Sequence, residues 1–294
     1  DLSRDGDDYR QNYKIFGNAF LEIKPIDGLT IRTSYGIDYG NFFNKDFTYR
    51  TYERSENVGI TGFGTGYNYR LTWTWTNTAA FEKTFGQHVA KILVGSEAIS
   101  YSGDGIGVST NTFDFEDPNF ITLNTDQQAS PNVSASQPTP EKIASLFGRV
   151  DYIFNDRYLF NATIRRDGTS KVYETERYGT FPAFGVGWRV SEEGFMSGVS
   201  FLDDLKIRGG WGQMGSIDNV NASNQFTLFG SHIGISNYDI NRSQGGAVAG
   251  YTPYRAGSLS TVWEFSETTN IGLDASFLQG KFDFSFNYFI NNTK

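Results

Sequence analysis

Between Leu29 and Tyr39 the odd positions read Leu29, Ile31, Thr33, Tyr35, Ile37 and Tyr39, and the even ones Thr30, Arg32, Ser34, Gly36 and Asp38. Side chains of an extended strand alternate between two faces, whereas a helix would scramble those sets around its circumference. The segment therefore reads as a strand with one apolar and one polar face. The pattern recurs in 282–290, where Phe282, Phe284, Phe286, Tyr288 and Ile290 oppose Asp283, Ser285 and Asn287. It recurs again in 67–83, where Tyr69, Leu71, Trp73, Trp75, Ala79 and Phe81 oppose Asn68, Arg70, Thr72, Thr74, Thr76 and Glu82. Weaker versions run through 13–24, 89–100, 143–154, 158–166, 181–190, 205–213 and 268–277, which makes about ten strands.

The connections come in two kinds. Short turns fall at Pro25-Ile26-Asp27-Gly28, Phe85-Gly86-Gln87-His88, Asn155-Asp156-Arg157 and Leu278-Gln279-Gly280-Lys281, with a longer acidic turn over 191–204. Long links fall at 40–66, 101–142, 168–180 and 214–261. Long structureless links are uncommon in compact soluble domains. Short periplasmic turns facing long extracellular loops are the rule in outer-membrane barrels. The 67–83 strand also outruns a tilted membrane crossing of about 9–11 residues, so part of it should project past the bilayer.

Composition excludes several alternatives. With no Cys there is neither a disulfide framework nor a thiol nucleophile, and the two His residues, His88 and His232, are far apart in sequence. A net charge of −8 offers no basic footprint for nucleic acid. No run approaches eighteen apolar residues, which excludes a transmembrane helix but not a barrel, whose signal is alternation. The 26 Phe, 17 Tyr and 5 Trp among 294 residues suit a lipid-facing band and its interfacial girdles. The opening DLSRDGDDYR has no apolar core segment, so no signal peptide is expected, and both ends read as cuts through a longer chain. The fold expected is all-β: an antiparallel transmembrane β-barrel segment whose missing strands come from elsewhere in that chain, because open sheet edges are untenable in lipid.

The chemistry-bearing residues point away from catalysis. Glu192/Glu193 and Asp203/Asp204 are adjacent, so on a strand they face opposite ways, and they suit turn caps better than a hydrolytic pair. Asp104, Asp114, Glu116 and Asp117 lack the regular spacing of a calcium loop. No catalytic, cofactor or metal site is assigned. Arg165 is expected to pair in the lumen and Arg166 to make a rim contact. Tyr69, Trp73, Trp75, Phe284, Phe286 and Tyr288 are expected to face lipid. The loop aromatics Phe113, Phe115, Phe120, Tyr238, Tyr251 and Tyr254 are the candidate substrate or partner contacts, suited to stacking on sugar rings or packing against a lid, with loop self-packing as the alternative.

The stretches RRDGTSKVYETERYGTFPAFGVGWRVSEEGFM (165–196) and FLDDLKIRGGWGQMGS (201–216) resemble the SusC/RagA family of TonB-dependent outer-membrane transporters of Bacteroidetes. The matching residues include Arg166, Asp167, Gly168, Arg177, Tyr178, Gly179, Phe181, Pro182, Gly187, Trp188, Ser191, Glu192, Glu193, Lys206, Arg208, Gly212 and Gly215. Residues 24–39 and 263–294 look like two further hairpins of that family. The long loops match nothing. The resemblance implies that 1–294 belong to one receptor β-barrel domain of about 22 strands, the size of plugged outer-membrane transporters. The plug, the TonB box and the terminal barrel strands would lie outside this chain. It further implies import of glycan or peptide oligomers in the outer membrane, a SusD-like lipoprotein partner and energy from the TonB complex, with lipid around the barrel. Two other readings stay open: a soluble or surface all-β carbohydrate-binding protein with the aromatics as a sandwich core, and a passive porin or adhesin barrel.

Overall fold

A computed structural model describes residues 7–51, 59–113, 116–124, 131–231, 235–239 and 248–293. The strands are β1 (Tyr9–Ile26), β2 (Leu29–Thr48), β3 (Thr61–Phe85), β4 (His88–Phe113), β5 (Asn132–Ser136), β6 (Glu141–Phe154), β7 (Tyr158–Thr169), β8 (Tyr178–Arg189) and β9 (Leu202–Ser216). After them come the short β10 (Leu228–Gly230), β11 (Asn237–Tyr238), β12 (Val248–Ala249) and β13 (Thr252–Arg255), and then β14 (Glu264–Phe277) and β15 (Phe282–Thr293). Single-turn 3₁₀ helices lie at Glu174–Glu176, Val190–Glu192 and Gly194–Met196, and among the described residues no helix is long and apolar enough to cross a membrane.

The long strands form one sheet in the order β1-β2-β3-β4-β6-β7-β8-β9-β14-β15, a meander in which chain neighbours pair, with β5 added to β4. β1 and β15 stand at its two ends, so the order is open. All ten expected strands are present, and several are longer than their alternation showed. β3 and β4 have 25 and 26 residues, more than twice a tilted crossing. The link expected over 101–142 is partly strand, because β4 continues to Phe113 and its Gly105–Ser109 stretch pairs with β5. YSGDGIGVSTNTF carries no sustained apolar alternation, and its extended backbone is satisfied by pairing with its neighbour.

Turn chemistry closes the hairpins. Gly28 adopts φ +82°, and a Cβ there would stand 2.3 Å from the Glu82 carbonyl oxygen, so the second residue of the Asp27–Gly28 turn has to be glycine. Asn155 and Asp156 sit at φ 51° and 54°, the left-handed region that these two side chains tolerate. Leu278 and Gln279 occupy the same region at 56° and 62°, which costs an ordinary side chain about 1–2 kcal/mol each.

Two compact units divide the chain. In the unit formed by Phe20–Ser34, Trp75–Ala98 and Glu141–Lys294, the register sorts side chains by face. One row across six strands reads Phe154, Tyr158, Trp188, Ile207, Leu273 and Phe286; on the other face a row reads Arg149, Thr163, Ala183, Gly212, Thr268 and Asn291. On the apolar face Trp75, Phe284, Phe286 and Tyr288 are exposed, with no second layer over them among the described residues, which removes the sandwich alternative. A buried cluster lies off that face, where Val172, Phe181, Ile217 and Trp263 pack together with Val220 and Phe265. The unit formed by Asp1–Ala19, Tyr35–Thr74 and Ile99–Pro140 has its own small core of Phe63, Phe113 and Ile121, flanked by Phe47 and Leu123. There, too, apolar-face aromatics pair side by side, Tyr35 stacking on Trp73 at 6.2 Å and Tyr39 lying 6.2 Å from Tyr69.

Candidate functional site

The polar face is a wall held by two arginine-centred networks. Arg165 donates to Glu97 (2.8 Å), Asp167 (2.7 Å) and Ser145 (2.9 Å), and its guanidinium lies 5.2 Å from the Phe147 ring centroid. Glu97 also accepts from Thr76 at 3.2 Å. Arg208 donates to Asp274 (2.9 Å) and Asn287 (2.5 Å), and Asp274 accepts from Ser285 (2.7 Å). Each arginine therefore joins several strands, and half-burial makes such charge-assisted bonds stronger than exposed ones. Gly185, Gly187, Gly210 and Gly212 lie between the networks on the same face, together with Asn161 and Asn270, and leave a shallow groove in the wall.

At the long-loop end the side chains tie the loops down. Trp263 donates its indole N–H to the Arg177 carbonyl (3.1 Å) and meets the Phe181 ring edge-on at 5.3 Å. Phe181 lies so close to Gly215 that a Cβ there would stand 2.1 Å from the ring. Gly179 and Gly168 are likewise covered, by Phe181 and Tyr178. Several residues of the resemblance thus form one clasp. Above it, Gln225 donates to the Ser170 carbonyl (2.8 Å), Asn224 to Thr261 (2.8 Å) and Arg255 to the Ser223 carbonyl (2.8 Å), joining the two arms of the 217–263 loop below the β10–β13 ladder.

The loop aromatics part company. Phe120, Tyr238, Tyr251 and Tyr254 are exposed, Tyr251 at 78%. Phe113 is 1% exposed, its carbonyl accepts from Arg50 (3.1 Å), and its ring offers almost no surface to a ligand. Phe115, Asp114 and His232 lie outside the described residues.

The carboxylates behave as caps and pairs. Glu193 accepts from Tyr158 (2.7 Å) and Trp188 (3.1 Å) and lies 3.4 Å from Arg157; Asp204 accepts from Ser191 (2.7 Å); Asp203 accepts from the Gly280 N–H (3.1 Å). Asp104 accepts from Tyr69, and Asp117 caps the turn at Asn119. No three His, Cys, Asp or Glu side chains converge among the described residues. Arg165 pairs as expected, and Arg166 lies 4.7 Å from the Tyr178 ring centroid. Sequence reasoning missed the Arg208 network and the role of Trp263. Arg208 and Asp274 carry no signal until the β9–β14 register sets them two rungs apart on one face.

A sheet with an exposed apolar face, a polar face of small and ion-paired residues, short turns at one end and folded loops at the other is the wall of a transmembrane β-barrel. Over residues 1–294 the chain matches the family model described as TonB dependent receptor-like, beta-barrel, and it belongs to that family. It is similar to TonB-dependent receptor P39 of Formosa agariphila, at 26% identity over 287 residues, covering 93% of this chain and 25% of the relative. It is also similar to TonB-dependent receptor SusC of Bacteroides thetaiotaomicron, at 29% identity over 225 residues, covering 76% of this chain and 21% of the relative. Among solved structures, the RagAB peptide transporter superposes with a TM-score of 0.83 at 21% identity, over 97% of this chain and 30% of that one, which shows the shared fold. The chain thus spans about a quarter of the length of the curated relatives it matches. Proteins of this family are outer-membrane β-barrels, and this chain is a segment of one.

Proposed function

We propose that the whole protein imports glycan or peptide oligomers across the outer membrane, driven through the TonB complex, and that a SusD-like lipoprotein works with it at the extracellular mouth. The relatives named SusC and RagAB support this reading, and so does their description as receptor and transporter rather than enzyme. The observation that carries it is the division of labour between the faces. Lipid meets one side of the wall, and a passing solute meets the other, where the arginine networks and glycines leave polar, open surface. The plug and the TonB box belong to other parts of the protein. This segment supplies wall and mouth, and Phe120, Tyr238, Tyr251 and Tyr254 are the rings that meet cargo or partner.

A bacterium carrying full-length protein with Tyr251→Ala and Tyr254→Ala tests the reading. Losing two stacked rings, at about 1–3 kcal/mol each by analogy with base–aromatic stacking, should reduce uptake of the oligomer at limiting concentration at least tenfold. Surface level and the heat-shifted electrophoretic band of the folded barrel should stay unchanged. Undiminished uptake in that double variant removes these residues from the site. Undiminished uptake after the TonB complex is deleted removes energy-coupled import and leaves a passive pore.

A further inference from the structure

We propose that Arg166, backed by Tyr178 and joined by Lys142, binds the phosphate of an anionic lipid headgroup in the outer leaflet. Arg166 follows Arg165 in sequence and therefore faces the other way. Register places it with the apolar set, opposite Leu146 on β6 and Thr180 on β8, two residues beyond Ile164. Leu146 is exposed level with it, and below it on that face, toward the short turns, Ile164, Phe160, Phe184 and Val186 are exposed. Tyr158 and Trp188 mark the short-turn edge of the band. From Tyr158 to Arg166 is about 26 Å along the strand at about 3.3 Å per residue, or about 20 Å of height at the usual tilt, against an apolar band about 25 Å tall. The Arg166 backbone thus lies about 5 Å below the outer edge of that band, and its long stem carries the guanidinium outward to where hydrocarbon gives way to headgroups.

Its surroundings leave this cation in want of an anion. Asp167, next to Arg166 in the sequence, and Glu141, next to Lys142, both lie on the opposite face and are engaged there, Asp167 by Arg165 at 2.7 Å and Glu141 by Lys171 at 3.2 Å. Neither Arg166 nor Lys142 has an ion-pair partner among the described residues. The Tyr178 ring, 4.7 Å away, is itself exposed, and it holds the guanidinium by a cation–π contact that leaves its N–H edge open. Lys142 is exposed on β6, on the same face as Leu146 and four residues further out. Two cations above an apolar band complement a phosphate whose acyl chains lie along that band. The proposal rests on the outer-membrane location and not on the transport reading.

Native mass spectrometry of the delipidated full-length protein, titrated with phosphatidylglycerol, phosphatidylcholine or inorganic phosphate, tests it. Phosphatidylglycerol should be retained in preference to phosphatidylcholine. R166Q with K142Q should weaken that retention about tenfold, the scale of one lost charge-assisted contact. R166K should restore most of it, and K206Q, on the polar face, should leave it unchanged. Should R166Q fail to give the heat-shifted folded band, T180E decides instead: its carboxylate, across the ladder from Arg166, should occupy the guanidinium and weaken retention comparably. Equal retention by the wild type and the double variant, or by the wild type and T180E, overturns the proposal. Displacement of the lipid by an equal concentration of inorganic phosphate also overturns it, because the site would then recognise the free ion.

Discussion

Arg165 and Arg166 are chain neighbours with opposite fates, which shows how much the pleat decides for a single residue. Arg165 stands between Glu97 and Asp167, whose side chains are 22% and 16% exposed. Removing the cation leaves two half-buried carboxylates facing each other, so R165A should destabilise the folded full-length protein by about 1–3 kcal/mol. Urea unfolding followed by intrinsic fluorescence measures this, and an unshifted midpoint would mean that solvent already screens the pair. Gly215 is constrained from the other direction. The ring of Phe181 occupies the place of its Cβ, and Trp263 stands 3.0 Å from the same point. G215A should cost about 1–3 kcal/mol through overpacking and loosen the 217–263 loop, read as faster proteolysis of intact cells within that loop. A variant as resistant as the wild type would show that the clasp can shift to admit a methyl group.

At the scale of elements, the connection between β8 and β9 shows how a turn is fixed to the strands it joins. The Glu193 carboxylate is held below the usual range, chiefly by the Tyr158 hydroxyl, then by the Trp188 indole, with Arg157 adding to both. A carboxyl whose pKa is lowered on folding stabilises the fold at any pH above its unfolded value, and the contribution disappears as pH falls through the folded one. The tie among Glu193, Tyr158 and Trp188 should therefore persist at neutral pH and be lost on acidification below the ordinary carboxylate range. Thermal unfolding between neutral and acidic pH should show a loss of stability that E193Q makes smaller. An identical pH dependence in E193Q would assign the acid loss to other carboxylates.

For the whole molecule, the prediction concerns two adjacent residues on opposite faces. Ile164 faces the apolar band and Thr163 the polar wall. Arginine at 164 should cost about 2–4 kcal/mol in folding of the full-length protein into lipid vesicles if that position lies near the bilayer midplane, whereas arginine at 163 enters a face that already holds Arg149 and Arg165. Equal penalties at both positions would show that the two faces do not meet different solvents.

The membrane-facing part of this architecture was legible in the sequence because lipid on one side and water on the other force a two-residue period on strands such as 29–39 and 282–290. The turns were legible for a local reason, since Gly28 and Asn155-Asp156 take left-handed backbone that few other residues accept. Outside the bilayer both signals fade. The Tyr101–Phe113 part of β4 satisfies its backbone through pairing whatever its side chains, so its extent emerged only from the ladder. The same holds for the candidate site. That Phe113 is packed away while Tyr251 stands clear, that Trp263 reaches the Arg177 carbonyl 86 residues upstream, and that Arg208 finds Asp274 are all contacts between distant segments. Periodicity told each side chain which solvent to face, but only the register of strand against strand told it which partner it would meet.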